Sequence, residues 1–562
     1  MTADGSRLSL FARIPKGVQV ESRGWTRTEV HGIPSWTSRV RIGEELPTLR
    51  LRTPEPTTPS PRIVLQGVDA YYALPWVWFL RDYVGLDAEV STQHGRDSLS
   101  IVLTRDPPAE PPHGTLVVLE PQGDPAWHLL RPANAGRGIF PTGDAPIPYR
   151  GPLRLLDGGP LRPLLVETSG RPTGLIQDGA AGTIILGFDP LRALWHDARE
   201  DSSAEEAATN GNWIAAVMRL ILWISPFIVW KGLWPDDAPP LLYSVDVEAG
   251  ASYFDAKTGR CSWAATRPRA RSPQDTKMEN SLGTSMRRLE HHGLIGTFHI
   301  DLNAVVDDKD RAVIREAATK HDVAFHLPGI GGHAAWPALI ADPLATRRAL
   351  EEGMKTLSGW AGAPVIGNRY ASWKRIPTTH DVVAAVGLGY DSSSLAHPPF
   401  HTVPYRMFVS ATGDPLDLWE FPCVEVIGAV KAGPRPLRGA RTRRRRTRGI
   451  AEFIAASARS SSMVVLCDHD MSLGADRGHV HGTWRLDPRG LSRVLRAAAR
   501  RASSGGLRPM RGSDFHRWWT ATRAVLFSFR EGADGDGRYL ELFLKWSTRS
   551  ASSDLRSPKV TR

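Results

Sequence analysis

Cysteine is scarce in this chain. Cys261, Cys423 and Cys467 are the only three in 562 residues, and no pair has a C-x-x-C spacing. A disulfide framework and a cysteine zinc site are not expected, and a reducing compartment fits. Long apolar runs are missing too. The most hydrophobic stretch, Trp213–Trp234, is interrupted by Arg219 and Pro226, and its part between Leu220 and Trp230 is too short to cross a bilayer. A buried or surface-docked helix is expected there, and no transmembrane segment. The opening residues, MTADGSRLSLFARIPKG, lack a charged start followed by an adequate apolar run. No secretory signal is expected, and the location expected is cytoplasmic. With 41% hydrophobic and 23% charged residues the composition is that of an ordinary globular protein. A disordered chain, a collagen and a coiled-coil rod are excluded.

Charge is present in excess but unevenly placed. Lys and Arg number 70 against 59 Asp and Glu, so the formal charge is 70 − 59 = +11. Most of that excess lies in one block, Arg435–Arg448, which reads RPLRGARTRRRRTR with eight arginines and no acid. Such a block can meet nucleic acid, anionic lipid or an acidic polymer. No aromatic residue interrupts it, so readout by base stacking is not implied and no specific nucleic acid is expected as a partner. A solvated, inserted loop is the expectation for the block itself.

Along the chain, 1–60 is polar and ends in TPEPTTPSP, which reads as an extended segment and linker. From Arg62 short apolar runs (RIVLQG, LSIVLT, GTLVVLEP, GTIILGFDP) alternate with one helical pattern, YYALPWVWFLRDYVG. They suggest an α/β layer domain over 61–203, of unassigned role. A helical connector follows over 204–240. Strands and helices then alternate regularly from LLYSVDVE onward, with strands at GTFHIDL, DVAFH, VIGNRY, GYDSS and SMVVLCDH. That alternation implies a parallel sheet with helices outside, as an open sheet or a barrel. A helix and a hairpin around Gly-Asp-Gly occupy 513–547, and 548–562 reads as a disordered tail.

Ligands bind at the carboxyl ends of parallel strands. The residues delivered there are Asp246 and Glu248, then His326 with His333 in the Gly-rich loop beyond it, then Arg369 followed by Trp373, then Asp391, and last Asp468, His469 and Asp470. A strand-end Asp alone is usually a cap, which is the expectation for Asp391. As an ordered set, however, these residues have the parts for metal-assisted hydrolysis. Imidazoles with a carboxylate suit a divalent metal such as zinc. A second carboxylate can take a proton from water, a histidine can protonate a leaving amine, and an arginine can hold the base ionised.

These segments also resemble a family. SVDVE, HHGLIGTFHI, TKHDVAFH, SGWAGAPVIGNRYASW, GYDSSS and LCDH occur in the order of the motifs of the polysaccharide deacetylases, the NodB-homology type of carbohydrate esterase family four. The resemblance covers 241–512 and implies an irregular (β/α) barrel of the NodB-homology type, preceded here by the smaller α/β layer domain. It implies Asp246 as catalytic base, Arg369 as its orienter, His469 as catalytic acid, and Glu248, His326 and His333 as ligands of a divalent metal, zinc in the simplest case. Three positions depart from the pattern. Glu248 stands where many members have Asp, Ile330 where a second histidine is usual, and Ala371 where a proline is usual. The Gly331-Gly332 turn can return His333 to the metal; otherwise a ligand is missing. The function implied is removal of N-acetyl groups from an amino sugar or glycan, with carbohydrate as substrate. The alternative is a catalytically degenerate or metal-independent barrel that binds glycan or scaffolds polysaccharide synthesis.

Overall fold

The computed structural model describes residues 7–546 with breaks. The longer breaks are 53–60, 108–113, 192–203, 248–253, 262–277, 328–341, 371–376, 395–402, 409–414, 426–435 and 471–479. Glu248, His333 and Trp373, and the tail 548–562, lie outside the described residues. The chain divides into two units. One comprises Met1–His196, Thr209–Asp237 and Arg517–Arg562, and the other Asp197–Ala208 and Ala238–His516. Among the described residues, no helix is long and apolar enough to cross a membrane.

In the first unit the stretch expected to be an extended segment supplies five strands between Arg7 and Arg52. Its alternation is short but sufficient: Leu8, Leu10 and Ala12 are buried on one face. The strand Arg7–Arg13 pairs antiparallel with Ile33–Arg41 and with Ile228–Lys231. The latter lies in the stretch expected to be a helical connector. The helix there, Ala204–Ile224, stops two residues before Pro226, and β-branched Ile228 and Val229 follow in a strand.

The expected apolar runs form strands of a nine-stranded sheet, including Arg62–Gln66, Ser100–Thr104, Thr115–Leu119 and Ile184–Leu186. Helical cover is thinner than an α/β layer implies. Among the described residues from 61 to 191, the only helical segment is the one from Ala70 to Val84. The final hairpin forms as expected, Val525–Asp534 with Gly537–Trp546, and Thr48–Arg52 pairs beside it.

The second unit holds the strands β1 Pro240–Val247, β2 Gly296–Ile300, β3 Asp322–Leu327, β4 Gly367–Tyr370, β5 Tyr390–Asp391, β6 Tyr405–Phe408, β7 Pro415–Glu420, β8 Val424–Glu425, β9 Val464–His469 and β10 Arg508–Pro509. Its helices are α1 Met278–His291, α2 Asp308–Lys320, α3 Pro343–Ala361, α4 Pro377–Ala385, α5 Pro436–Ser460 and α6 Pro488–Ser503. The strands lie in the order β6-β7-β5-β4-β3-β2-β1-β9-β8, with β10 beside β1. Within this sheet, among the described residues, only β6 and β7 pair antiparallel. The sheet is mixed α/β in setting and curled into a half-barrel. It is open between β6 and β8 among the described residues, where a barrel had been one of the expectations.

Local signals explain the regularity. Every residue of β1 is buried, as in a central parallel strand covered on both faces. Asp307 and Asp342 cap α2 and α3, each side chain accepting two backbone N–H groups, and Gly362 at φ +72° ends α3. The arginine block is helical rather than a loop. It forms the first half of α5, in keeping with the good helix propensity of arginine.

One close approach fixes β4 against β5. A Cβ on Gly367 would overlap the ring of Tyr390. Gly367→Ala is expected to cost about 3 kcal/mol, the upper end for overpacking a core. An unchanged urea midpoint would refute this contact.

Candidate active site

Strand register gathers the site. Residues paired across adjacent parallel strands share a face and lie about 4.8 Å apart. Asp246 on β1 pairs with His299 on β2 and with His469 on β9. His299 pairs with Ala324 on β3, and His326, two residues on, pairs with Arg369 on β4. One face at the carboxyl ends therefore carries Asp246, His299, His326, Arg369 and His469. Asp246, His326 and Arg369 are buried, whereas His469 is half-buried at the rim.

Arg369 anchors the face. Its side chain is fully buried, and its Nη1 donates to Asp246 Oδ1 at 2.6 Å. The other donors go to Ser392 O at 2.6 Å and to Ser244 Oγ and Ser392 Oγ, both at 2.8 Å. Nη1 also approaches Cys467 Sγ at 3.2 Å. The Asp-Ser-Ser-Ser segment after β5 thus has a local purpose. Ser392 holds the guanidinium, while Ser393 Oγ donates to Asp391 Oδ1 and accepts from the Tyr370 N–H. Asp391 also accepts from Asn368 Nδ2, in line with a structural role.

The electrostatics follow from this packing. Burial by itself raises the Asp246 carboxyl, but Arg369, with the nearby His326, His469 and His299, brings it below the ordinary Asp value. A buried carboxylate kept ionised is the property a general base needs. Cys467 was legible only as an isolated cysteine, yet its thiol lies 3.6 Å from Asp246 Oδ2. A hydrogen bond with Cys423 and burial push the Cys467 thiol well up, so it stays protonated and donates to that oxygen. Both cysteines are free and buried.

The flanking acids serve elsewhere. Asp468 accepts from the Tyr243 hydroxyl at 3.1 Å, on the face opposite Asp246, and Asp470 accepts from Ser281 Oγ at 2.6 Å.

A divalent metal fits the donor chemistry at His326. Its Nδ1 lies 3.1 Å from the Arg369 carbonyl, which can only accept. Nδ1 is therefore the donor, and Nε2 is the nitrogen able to serve as a ligand, the usual orientation of a metal histidine. Among the described residues no three metal-type side chains converge. Glu248 and His333, the other two expected ligands, are outside that set.

His299 was missed by motif reading, although its place in GTFHI is an inward one. Its side chain is 1% exposed, and among the described residues neither ring nitrogen makes a well-formed hydrogen bond, the Phe325 backbone being a weak polar partner. Burial, then Arg369 and His326, hold its imidazole well below the ordinary histidine value, so it is neutral. A buried imidazole without a well-formed hydrogen bond costs about 1–3 kcal/mol. His299→Leu is accordingly expected to raise the melting temperature while lowering activity, checked by calorimetry beside an assay. A lowered melting temperature would contradict this account of His299.

No protein-family model matches the sequence, and no curated protein matches it. The chain is similar over about half its length to solved polysaccharide deacetylases and family 4 carbohydrate esterases. One, described as a polysaccharide deacetylase of Mycobacterium smegmatis, has 19% identity and a TM-score of 0.37, covering 52% of this chain and 93% of that one. A family 4 carbohydrate esterase from Streptomyces lividans, in complex with acetate, has 12% identity and a TM-score of 0.24, over 48% and 90% of the two chains. A Bacillus subtilis peptidoglycan deacetylase has 7% identity and a TM-score of 0.25, over 51% and 94%.

Proposed function

We propose that this chain is a hydrolase of the polysaccharide deacetylase type, removing N-acetyl groups from an amino sugar or glycan by metal-assisted amide hydrolysis. The observation that carries the reading is the buried Asp246–Arg369 pair, flanked on the same face by His326 and His469.

In this reading Asp246 takes the proton of the attacking water. Arg369 and the Cys467 thiol hold its two oxygens in place and keep it ionised. His469, paired with Asp246 in register and nearer the solvent, donates a proton to the leaving amine. His326, with Glu248 and His333, is assigned to hold the metal. A bound zinc or similar divalent ion supplies Lewis-acid polarisation of the acetyl carbonyl and a lowered water pKa.

The test is acetate release, with the matching appearance of free amine, from N-acetylated amino sugars and oligosaccharides. Release that depends on Asp246 is expected. No release from any N-acetylated carbohydrate would overturn the reading.

A further inference from the structure

The proposed chemistry leaves His299 without a task, although it stands in the middle of the site's face. On β2 it pairs in register with Asp246 on one side and with Ala324 of β3 on the other. His326 lies two residues beyond Ala324 on β3, so the two imidazoles are diagonal neighbours on the same side of adjacent strands. At about 4.8 Å between strands and about 3.3 Å per residue, their Cα atoms are about 8 Å apart. Two histidine side chains can meet at one ion across that span.

Hydrogen bonding leaves one nitrogen of His299 over. Its weak partner Phe325 favours the protonated ring, so that partner is the backbone carbonyl, accepting from a ring N–H. The second nitrogen then carries a buried lone pair, and among the described residues no donor reaches it. The donors nearby are engaged elsewhere. Arg369 gives its N–H groups to Asp246, Ser244, Ser392 and Cys467, and the Cys467 thiol turns to Asp246. His326 has the matching arrangement, with Nδ1 donating to the Arg369 carbonyl and Nε2 the acceptor.

Resting on the metal-assisted reading above, we infer that His299 is a ligand of the same divalent ion as His326, through the ring nitrogen that Phe325 leaves over. Two imidazole acceptors beside the carboxylate of Asp246 make a face rich in lone pairs, and Arg369, the guanidinium there, already serves Asp246 and the serines. A cation is the partner that such a face lacks. Imidazole nitrogen selects a borderline ion such as zinc, cobalt or nickel over magnesium and calcium, which prefer oxygen. A water bonded to His299 is the competing arrangement, and it requires no change in metal affinity when His299 is replaced.

The experiment uses the full chain stripped of metal, with zinc alone as the probe. The wild type is compared with His299→Leu, His299→Gln and His326→Ala by calorimetric titration and by the zinc-induced shift in melting temperature. Cobalt in place of zinc adds a visible spectrum that reports the ligands. Gln keeps a polar group at the position but is not among the usual zinc ligands, so it separates ligation from polarity. Both His299 variants should bind zinc about 100-fold more weakly, the upper end for loss of a partner that merely orients a ligand. Their zinc-induced melting shift should shrink to match, and their cobalt bands should change. Without metal, His299→Leu should melt above the wild type, so weaker binding there cannot be traced to a failure to fold. Unchanged affinity and cobalt bands in both His299 variants, with the site lost in His326→Ala, would overturn the inference and leave the metal-assisted reading standing. Wild-type affinity in His299→Gln alone would also overturn it, since polarity and not ligation would then be what the position supplies. A wild type that binds no zinc would overturn both.

Discussion

Asp246→Asn should lower kcat for acetate release by about 10²–10⁴, the range for loss of a general base. KM should change little, because the base acts on water in the transition state and not on bound substrate. Asn keeps the shape and one acceptor for Arg369 Nη1, but it cannot take a proton. The pH profile gives the same residue a second test. The carboxyl is held below the ordinary Asp value of about 3.9, so activity should not fall on its account until the pH drops beneath about 4. An acid limb due to Asp246 near neutrality would contradict the buried ion pair. Near-normal activity in Asp246→Asn would remove Asp246 from the chemistry.

Arg369→Met should have the largest effect on stability, about 3–5 kcal/mol, because it strands Asp246 without its partner in a buried setting. The sign of the pH dependence should also reverse. In the wild type the folded carboxyl lies below its unfolded value, so the pair's contribution is complete above about pH 4 and is lost as the pH falls through the folded value. Without the guanidinium, burial is left to raise the carboxyl, and the variant should gain stability as the pH falls toward the acid range. Adding Asp246→Asn to Arg369→Met should recover part of the loss, since the stranded charge disappears. Chemical denaturation at pH 7 and pH 5 reads all of this. A variant as stable as the wild type at pH 7 would show that the pair does not hold the sheet together.

The sequence made the second unit legible because its strands are short, apolar and separated by capped helices. Read from the sequence alone, helices fall at Lys277–His292, Arg311–Lys320, Pro343–Ser358 and Gly490–Arg501, each within a few residues of α1, α2, α3 and α6. Strands β6, β7 and β8 escaped notice. In Pro415–Glu420 the acids Asp417 and Glu420 break the apolar signal, and only the pairing with β5 and β6 makes that segment a strand. The first unit was harder to read. Two of its five early strands, Arg7–Arg13 and Thr48–Arg52, pair with segments far along the chain, Ile228–Lys231 and Gly537–Trp546, and such pairings leave no local trace.

At the site, Asp246, His326, Arg369 and His469 were legible as strand-end polar residues, and register brings them to one face. Cys467 and His299 were not. Each lies inside an apolar run, where a thiol or an imidazole reads as core. Only the pairing of Ser244 with Cys467 and of Asp246 with His299 shows them beside the base. The arginine block was legible as charge but not as helix, because repulsion within it argues for a loop while the propensity of each residue argues the other way.

The most direct test of the proposed chemistry is calorimetric titration of metal-free protein with zinc, comparing the wild type with His326→Ala and His333→Ala. The account predicts one tight site in the wild type, lost when His326 is replaced and lost or weakened at least tenfold when His333 is replaced. A wild type that binds no divalent metal, or a site untouched by His326→Ala, would contradict it.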